Sequence, residues 1–359
     1  METSSLAVFS GGERSFGGRI ALIGYIASIF NRKVRGMHNA RIMEILNVAE
    51  KAAIASAEWN GLGDKMAADQ AATTAMRDAF NEIDFSGRIV IGEGERDEAP
   101  MLFIGEELGR GGEEIDIAVD PLEGTNLCAA MKPNALCTIA IAPRGSLLFA
   151  PDTYMQKIAV GPAAADAVHI DKSPADNVRD VARALGKPVD ELCVCILDRS
   201  RHADLIAEVR STGARVRLID DGDVFGAIAT AVPGTGIDLY MGSGGAPEGV
   251  LACTGLKAIG GAFMGRLRFD LDKDGAEKRA RAEKTAQIDL DAVLTMDMLV
   301  RSDDAAFLAC GVTDGEMVSG VSKAGGSVTT ESVVMNAADR TVRFVKTCHR
   351  GENGVVRFR

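Results

Sequence analysis

The 359-residue chain is poor in the residues that read nucleic acids and in those that build zinc sites. Aromatic residues make up 5%, with a single tryptophan, Trp59, which leaves little from which to assemble a base-stacking surface. Only four histidines occur (His38, His169, His202 and His349), none at ligand spacing, and there is no C-x-x-C pair, so zinc is disfavoured. Basic charge is not in excess. The 40 Lys and Arg against 51 Asp and Glu give a net charge of −11, which disfavours binding to nucleic acid or an anionic membrane. A phosphate-bearing substrate stays compatible where metal ions supply local positive charge. No apolar run approaches the roughly 20 residues that a membrane-crossing helix needs. No G-x-x-x-x-G-K-[ST] phosphate loop, internal repeat, long linker or low-complexity tract is present.

Hydrophobic residues at 47% and charged residues at 25% are ordinary for a globular chain. The length suits two domains or one large α/β unit. The seven cysteines are an odd number, which points to reduced thiols in a cytosol-like compartment. Cys193 and Cys195 lie two apart in ELCVCIL, a buried-strand pattern that makes both small core residues on one face. Residues 1–36 differ from the rest, with five basic and two acidic side chains around the apolar run IALIGYIASIF. They read as a tail or an over-extended start, with Met37 opening the globular chain. A surface-docked or oligomerising helix and a targeting segment are the other readings.

The spacing predicts an amphipathic helix over His38–Asn60, broken by Gly61-Leu62-Gly63, and a second helix from Lys65 to Phe80. A strand is expected over Arg88–Ile91, ending in the turn GEGE, then a short helix around Pro100–Leu108. A strand over Ile115–Val119 is expected to stop at Asp120-Pro121. Ala135–Ala142, Leu147–Ala150 and Lys157–Val160 read as an antiparallel portion. From Pro174 strands and helices alternate in the rhythm of a parallel sheet, and the strand ends carry Asp198-Arg199, Asp220–Asp223 and GSGGAPEG (Gly242–Gly249). SVVM, NAADR and TVRFV form a closing hairpin, after the charged, exposed stretch Asp270–Lys284.

Eleven acids lie between Glu93 and Glu123, opposed only by Arg96 and Arg110. Glu93 stands in a glycine-flanked turn directly after a buried strand, and Asp120 and Glu123 do likewise in DPLEGT. Carboxylates gathered at adjacent strand ends repel unless cations neutralise them, and hard divalent ions take such oxygen ligands. In DPLEGT, Pro121 fixes the turn, Gly124 lets the backbone approach a phosphate and Thr125 starts a helix. A strand, a turn and an N-capping Thr without chemistry is the plain alternative.

Seven motifs then stand in one order: GDKMAAD (Gly63–Asp69), IGEGERDEAPM (Ile91–Met101), DIAVDPLEGT (Asp116–Thr125), PDTYMQK (Pro151–Lys157), DRSRH (Asp198–His202), DGD (Asp221–Asp223) and GGAPEG (Gly244–Gly249). On these the chain resembles the GlpX-type class II fructose-1,6-bisphosphatases, over about His38 to Arg350. GERDEAPM and DPLEGTN are similar to the cyanobacterial members that also hydrolyse sedoheptulose 1,7-bisphosphate. The resemblance implies the sugar-phosphatase fold of the lithium-sensitive, metal-dependent phosphatases, an α/β protein layered α-β-α-β-α. It implies an N-terminal extension over 1–37, a metal-binding domain over 38–172 and a sugar-phosphate-binding α/β domain with a C-terminal hairpin over 173–359.

By position, the resemblance implies that Asp69 and Glu93 hold one metal ion and that Asp120, Glu123 and Glu248 hold another. Mn²⁺ or Mg²⁺ is the implied cofactor, with two or more ions per site. Lys65 becomes a charge partner of the cluster, and Thr125 the hydroxyl that positions the attacking water or the phosphate. Glu123, Gly124 and Thr125, then Tyr154, Arg199, Ser200, Arg201, Asp221, Gly222, Asp223 and Gly245, become substrate-binding positions. DRSRH departs from the family, which has Lys in the enterobacterial-type members where Arg199 stands, and Pro where Ser200 stands. Arg199 and Arg201 suit a distal phosphate, since Arg binds phosphate with a two-pronged fork. His202, a histidine at a helix start beside two arginines, reads as structural. The implied partners are a sugar bisphosphate and further copies of the chain as a dimer or tetramer, in the cytoplasm. An inositol-monophosphatase-like enzyme is the alternative on this fold. A nucleotide-binding oxidoreductase is a remoter one, because GSGGAPEG follows a strand and opens a helix but lacks the last glycine of G-x-G-x-x-G.

Overall fold

Ile42, Ile45, Leu46, Ala49, Ala52 and Ala53 fall on one stripe of helix α1 (Asn39–Ala57), and all six are buried. Gly61 and Gly63, at φ 77° and 76°, turn the chain through a region that favours glycine. Asp64 then caps α2 (Lys65–Phe80) by accepting from the Ala67 N–H at 3.0 Å. The computed structural model describes residues 39–93, 101–285 and 288–350. All named elements lie in Met37–Arg359, one of the two units into which the chain divides. The readings of residues 1–37 and of the GERDEAP part of its motif fall outside the described residues.

The chain continues through β1 (Phe85–Ile91), β2 (Glu107–Leu108), β3 (Glu113–Glu123), α3 (Thr125–Ala129), β4 (Leu136–Pro143) and β5 (Tyr154–Val160). There follow α4 (Pro174–Leu185), β6 (Cys193–Leu197), α5 (Ala203–Ser211), β7 (Arg215–Ile219), α6 (Asp223–Ile228), β8 (Leu239–Gly245) and α7 (Ala246–Ile259). The last elements are β9 (Ala262–Arg268), α8 (Gly275–Thr285), β10 (Leu294–Thr295), α9 (Met296–Leu299), β11 (Ala306–Gly311), β12 (Ser322–Ala324), β13 (Ser327–Asn336) and β14 (Thr341–Arg350).

Two mixed sheets result. The first runs β12-β13-β11-β4-β3-β1-β2, with β14 against β13, and the second runs β10-β9-β5-β8-β6-β7. Helices α1 and α2 cover one face of the first sheet, α6 and α7 fill the space between the sheets, and α4 and α5 cover the outer face of the second. The order of layers is therefore α-β-α-β-α, the expected fold class. The sheets do not follow a break at residue 172: β5 belongs to the second sheet, and β11 to β14 return to the first. Among the described residues no helix is long and apolar enough to cross a membrane.

Several local expectations change. Residues 101–108 form no helix, because Leu102 (φ 51°) and Gly105 (φ 88°) are left-handed and the local hydrogen bonds run to β1, from Gly105 N–H to Ile89 O and from Ile89 N–H to Glu106 O. Leu147–Ala150 is not a strand; it makes one isolated bridge, Leu147 to Val300. The later sheet is parallel only where β6 meets β7 and β8, since β5 and β9 run antiparallel to their neighbours. Cys195 is core, but Cys193 at the strand start is only half-buried.

Candidate active site

Alternation along β3 sends Ile115, Ile117 and Val119 toward α1 and α2, so Asp116, Ala118 and Asp120 face the middle layer. The strand does not stop at Asp120-Pro121. It runs on to Glu123 with a shift in its register against β4 between Asp120 and Glu123. Pro121 has no N–H to give the ladder, and a bulge of this kind re-aims side chains. Strict alternation would set residues 120 and 123 on opposite faces. Instead Asp120, Glu123 and Glu248, from the first turn of α7, each bring a carboxylate oxygen within 4.8 Å of the others.

Asp69 from α2 and Glu93, just past the end of β1, meet Asp120 and Glu248 around one cavity of about 480 Å³, which Lys65 and Thr125 also line, while the buried Glu123 stands outside its lining. The acids crowd one another. Burial, then the charges of Asp69 and Asp120, push Glu93 up to about 9. Burial, with Asp69 adding to it, lifts Asp120 to about 6, although a Glu123 hydrogen bond and the Leu122 N–H at 3.0 Å pull the other way. Burial and the Asp120 and Asp223 charges hold Glu123 well above its ordinary value. Burial raises Glu248 to about 7 against the downward pull of the Lys157 ammonium. Burial raises Asp69 as well.

These residues fit divalent cations. The donors are all carboxylate oxygens, which suit hard ions. Glu248 Oε2 is buried with no hydrogen-bond partner, a lone pair left without a donor. Gly245 clears its space: a Cβ there would lie 2.0 Å from Glu248 Oε2. Gly245→Ala is accordingly expected to weaken Mn²⁺ binding by about 10- to 100-fold in calorimetric titration, with an unchanged circular dichroism spectrum. Unchanged affinity would contradict the role given to Glu248.

The remaining predicted positions fall outside that cavity. Gly124 is left-handed (φ 81°) and precedes α3, so Thr125 is its first residue rather than its cap, and Thr125 Oγ1 donates to Leu122 O at 3.1 Å. Arg201 grips Ser243 O through Nε (3.0 Å) and Nη2 (2.6 Å) and stacks over Tyr154, 4.7 Å from the ring centre. Tyr154 pairs in register with Gly245. Arg199 donates to Asp220 O at 2.5 Å and lies 3.8 Å from Asp221, while the Asn126 amide donates to Asp221 Oδ2 at 3.3 Å. Ser200 is exposed and begins a short turn, and Gly222 is left-handed (φ 89°) before α6. His202 is structural: it is buried, with Nδ1 2.8 Å from Leu197 O and Nε2 accepting from Ser243 N–H.

Asp223 is buried and tied to Lys157 at 2.6 Å, a partner that sequence reasoning missed although a lysine in the apolar strand Tyr154–Val160 is a visible anomaly. Asn126 and Asp152, which also line the cavity, carried no such signal. In GSGGAPEG, Gly242–Gly245 belong to β8, and the helix that follows presents Glu248 to the acids, which opposes a dinucleotide phosphate at that turn.

The model of the bacterial, glpX-encoded fructose-1,6-bisphosphatase family matches residues 39–349. The chain is 45% identical over 335 residues to a protein of Thermosynechococcus vestitus named D-fructose 1,6-bisphosphatase class 2/sedoheptulose 1,7-bisphosphatase, covering 87% of this chain and 96% of that one. A relative of the same name, numbered 2, in Acaryochloris marina is 45% identical over 337 residues, 88% of this chain and 97% of its own. One from Synechocystis is 44% identical over 332 residues, 87% of this chain and 96% of its own. With its motifs in family order and four of its five predicted carboxylates lining one cavity, the chain belongs to the GlpX-type, class II fructose-1,6-bisphosphatase family of phosphatases.

Proposed function

We propose that the chain hydrolyses the 1-phosphate of fructose 1,6-bisphosphate to fructose 6-phosphate and phosphate, and that it also accepts sedoheptulose 1,7-bisphosphate. The carrying observation is the meeting of Asp69, Glu93, Asp120 and Glu248 with Lys65 and Thr125 on a single cavity. Two or more Mn²⁺ or Mg²⁺ ions held by these acids and Glu123 would activate water and neutralise phosphoryl charge, which phosphomonoester hydrolysis needs because it is so slow uncatalysed. Asp120 occupies the hinge of the arrangement, between the Asp69–Glu93 pair and the Glu123–Glu248 pair. Thr125 has one proton, and it goes to Leu122 O, so its oxygen accepts from the attacking water and turns a water lone pair toward the phosphorus. Lys65, exposed on the rim and without an ion-pair partner among the described residues, is free to meet a phosphate oxygen.

Arg199 and Arg201 are held by backbone carbonyls and keep N–H groups for the distal phosphate. Asp221, Asp223, Gly222 and Tyr154 border the sugar. Arg199→Ala and Arg201→Ala are each expected to raise KM for fructose 1,6-bisphosphate by about 10- to 100-fold, the worth of a lost charge-assisted bond, with a smaller change in kcat. An unchanged KM in both would remove the distal-phosphate assignment. Self-association as a dimer or tetramer is supported by the exposed Val342 (41%) and Phe344 (63%) on β14, the open edge of the first sheet. The cytoplasm, and gluconeogenesis or the Calvin cycle, are the setting this substrate class suits.

The test is phosphate release with Mn²⁺ or Mg²⁺ from fructose 1,6-bisphosphate, sedoheptulose 1,7-bisphosphate and inositol 1-phosphate side by side. Release from the first two and not the third is expected. Release from inositol phosphate alone would keep the metal centre and overturn the bisphosphate reading.

A further inference from the structure

Lys157 is the only lysine or arginine in the buried set of described residues. Its side chain is 1% exposed and that of its partner Asp223 is 7% exposed. A buried ammonium is tolerated only when it is paired. Here Nζ donates to Asp223 Oδ2 at 2.6 Å, and the fully buried Tyr240 hydroxyl donates to the same oxygen at 3.4 Å. The packing is specific to this pair: a Cβ on Gly244 would stand 2.0 Å from Asp223 Oδ2 and 3.2 Å from Lys157 Nζ. No described group donates to Asp223 Oδ1, since both protein donors converge on Oδ2.

The pair borders the acids of the metal site. Val224, next after Asp223, donates its N–H to Glu123 Oε1 at 3.3 Å. The Asp223 charge presses on both Glu123 and Glu248, and the Lys157 charge relieves Glu248. A further carboxylate in that neighbourhood is itself a hard ligand for a divalent ion. As one half of an ion pair it is a poor one, because an ion would have to displace the ammonium. Its second oxygen nevertheless still accepts from a neutral hydroxyl. We propose that Lys157 is a positioning residue that withholds Asp223 from the divalent cations and reserves Asp223 Oδ1 for a substrate hydroxyl. The inference rests on reading the cavity as a cation-dependent bisphosphatase site.

The test titrates Mn²⁺ calorimetrically into substrate-free wild type, Lys157→Met, Lys157→Gln and the double variant Lys157→Met/Asp223→Asn, with initial rates on fructose 1,6-bisphosphate for each. Both single variants are expected to bind Mn²⁺ about tenfold more tightly, as Asp223 turns into a ligand, and to show a KM raised about tenfold with a smaller fall in kcat. The double variant is expected to return to the wild-type Mn²⁺ affinity, because the freed carboxylate is gone. A lowered melting temperature with unchanged Mn²⁺ affinity and unchanged KM would make the pair purely structural and overturn the inference. So would tightened binding that survives in the double variant. Should Lys157→Met fail to fold, Lys157→Gln keeps a donor to Asp223 without the charge and decides alone. If wild type leaves the bisphosphate intact, the functional reading falls, while the Mn²⁺ titrations still decide the role of Lys157.

Discussion

Asp120→Asn and Glu248→Gln are each expected to abolish turnover, lowering kcat by about 10³-fold or more, while leaving the fold intact. The loss follows from position. Each substitution removes an anionic oxygen from the group of three that converge within 4.8 Å, and a neutral amide does not hold a hard divalent ion in its place. Transition-state charge stabilisation by such ions amounts to several kcal/mol, hence the size of the effect at about 1.4 kcal/mol per decade. The fold is expected to survive, and indeed to gain, in protein stripped of metal. Both side chains are half-buried and pushed above their ordinary values, by lost solvation first and then by neighbouring acids, so a neutral isostere relieves repulsion. The metal-free variants should therefore melt at or above the wild-type temperature at pH 8, by differential scanning calorimetry. Wild-type activity in either variant would remove that residue from the centre, and a large drop in melting temperature would make it a structural acid.

The second large effect is on pH. In the metal-free folded protein Asp120 titrates near 6, Glu248 near 7 and Glu93 near 9, whereas the unfolded chain loses these protons near the ordinary carboxylate values. Between those limits the folded state holds more protons than the unfolded state, so stability falls as pH rises. The contribution of these groups is complete below about pH 4 and is lost progressively through pH 6 and 7 to about 9. Cations reverse the slope. They displace the same protons, so Mn²⁺ should bind more tightly as pH rises, release protons on binding, and restore the melting temperature most at the alkaline end. Melting curves in EDTA and in Mn²⁺ from pH 5 to 9 check this. A metal-free melting temperature that climbs with pH over that range would contradict the crowding of the acids.

Much of this was legible in the chain itself, where local rules decide the outcome. The stripe from Ile42 to Ala53 and the Asp64 cap define the first two helices, and α2 spans Lys65–Phe80 as the spacing predicts. Repelling carboxylates at strand ends, in GEGE and DPLEGT, mark the site because charge has few reasons to gather there. What was not legible depends on long-range pairing. Residues 101–108 look helical by composition, yet their backbone groups bond to β1. The rhythm after Pro174 suggests a parallel sheet, but β5 lies between β8 and β9 and runs antiparallel to both. The continuation of β3 through Pro121 arises from a register shift against β4, which no local pattern announces. The Lys157–Asp223 pair spans 66 residues, so neither partner reveals the other, although a lysine inside an apolar strand calls for one.

The most direct test of the central claim, that the acids of this cavity work by holding divalent cations, is a metal titration of activity. Chelator-treated protein is mixed with fructose 1,6-bisphosphate, and phosphate release is followed as Mn²⁺ is added. The account predicts no release before addition, then a saturable rise that Asp120→Asn fails to show at any concentration. Full turnover in excess chelator, or an equal rise in Asp120→Asn, would contradict it.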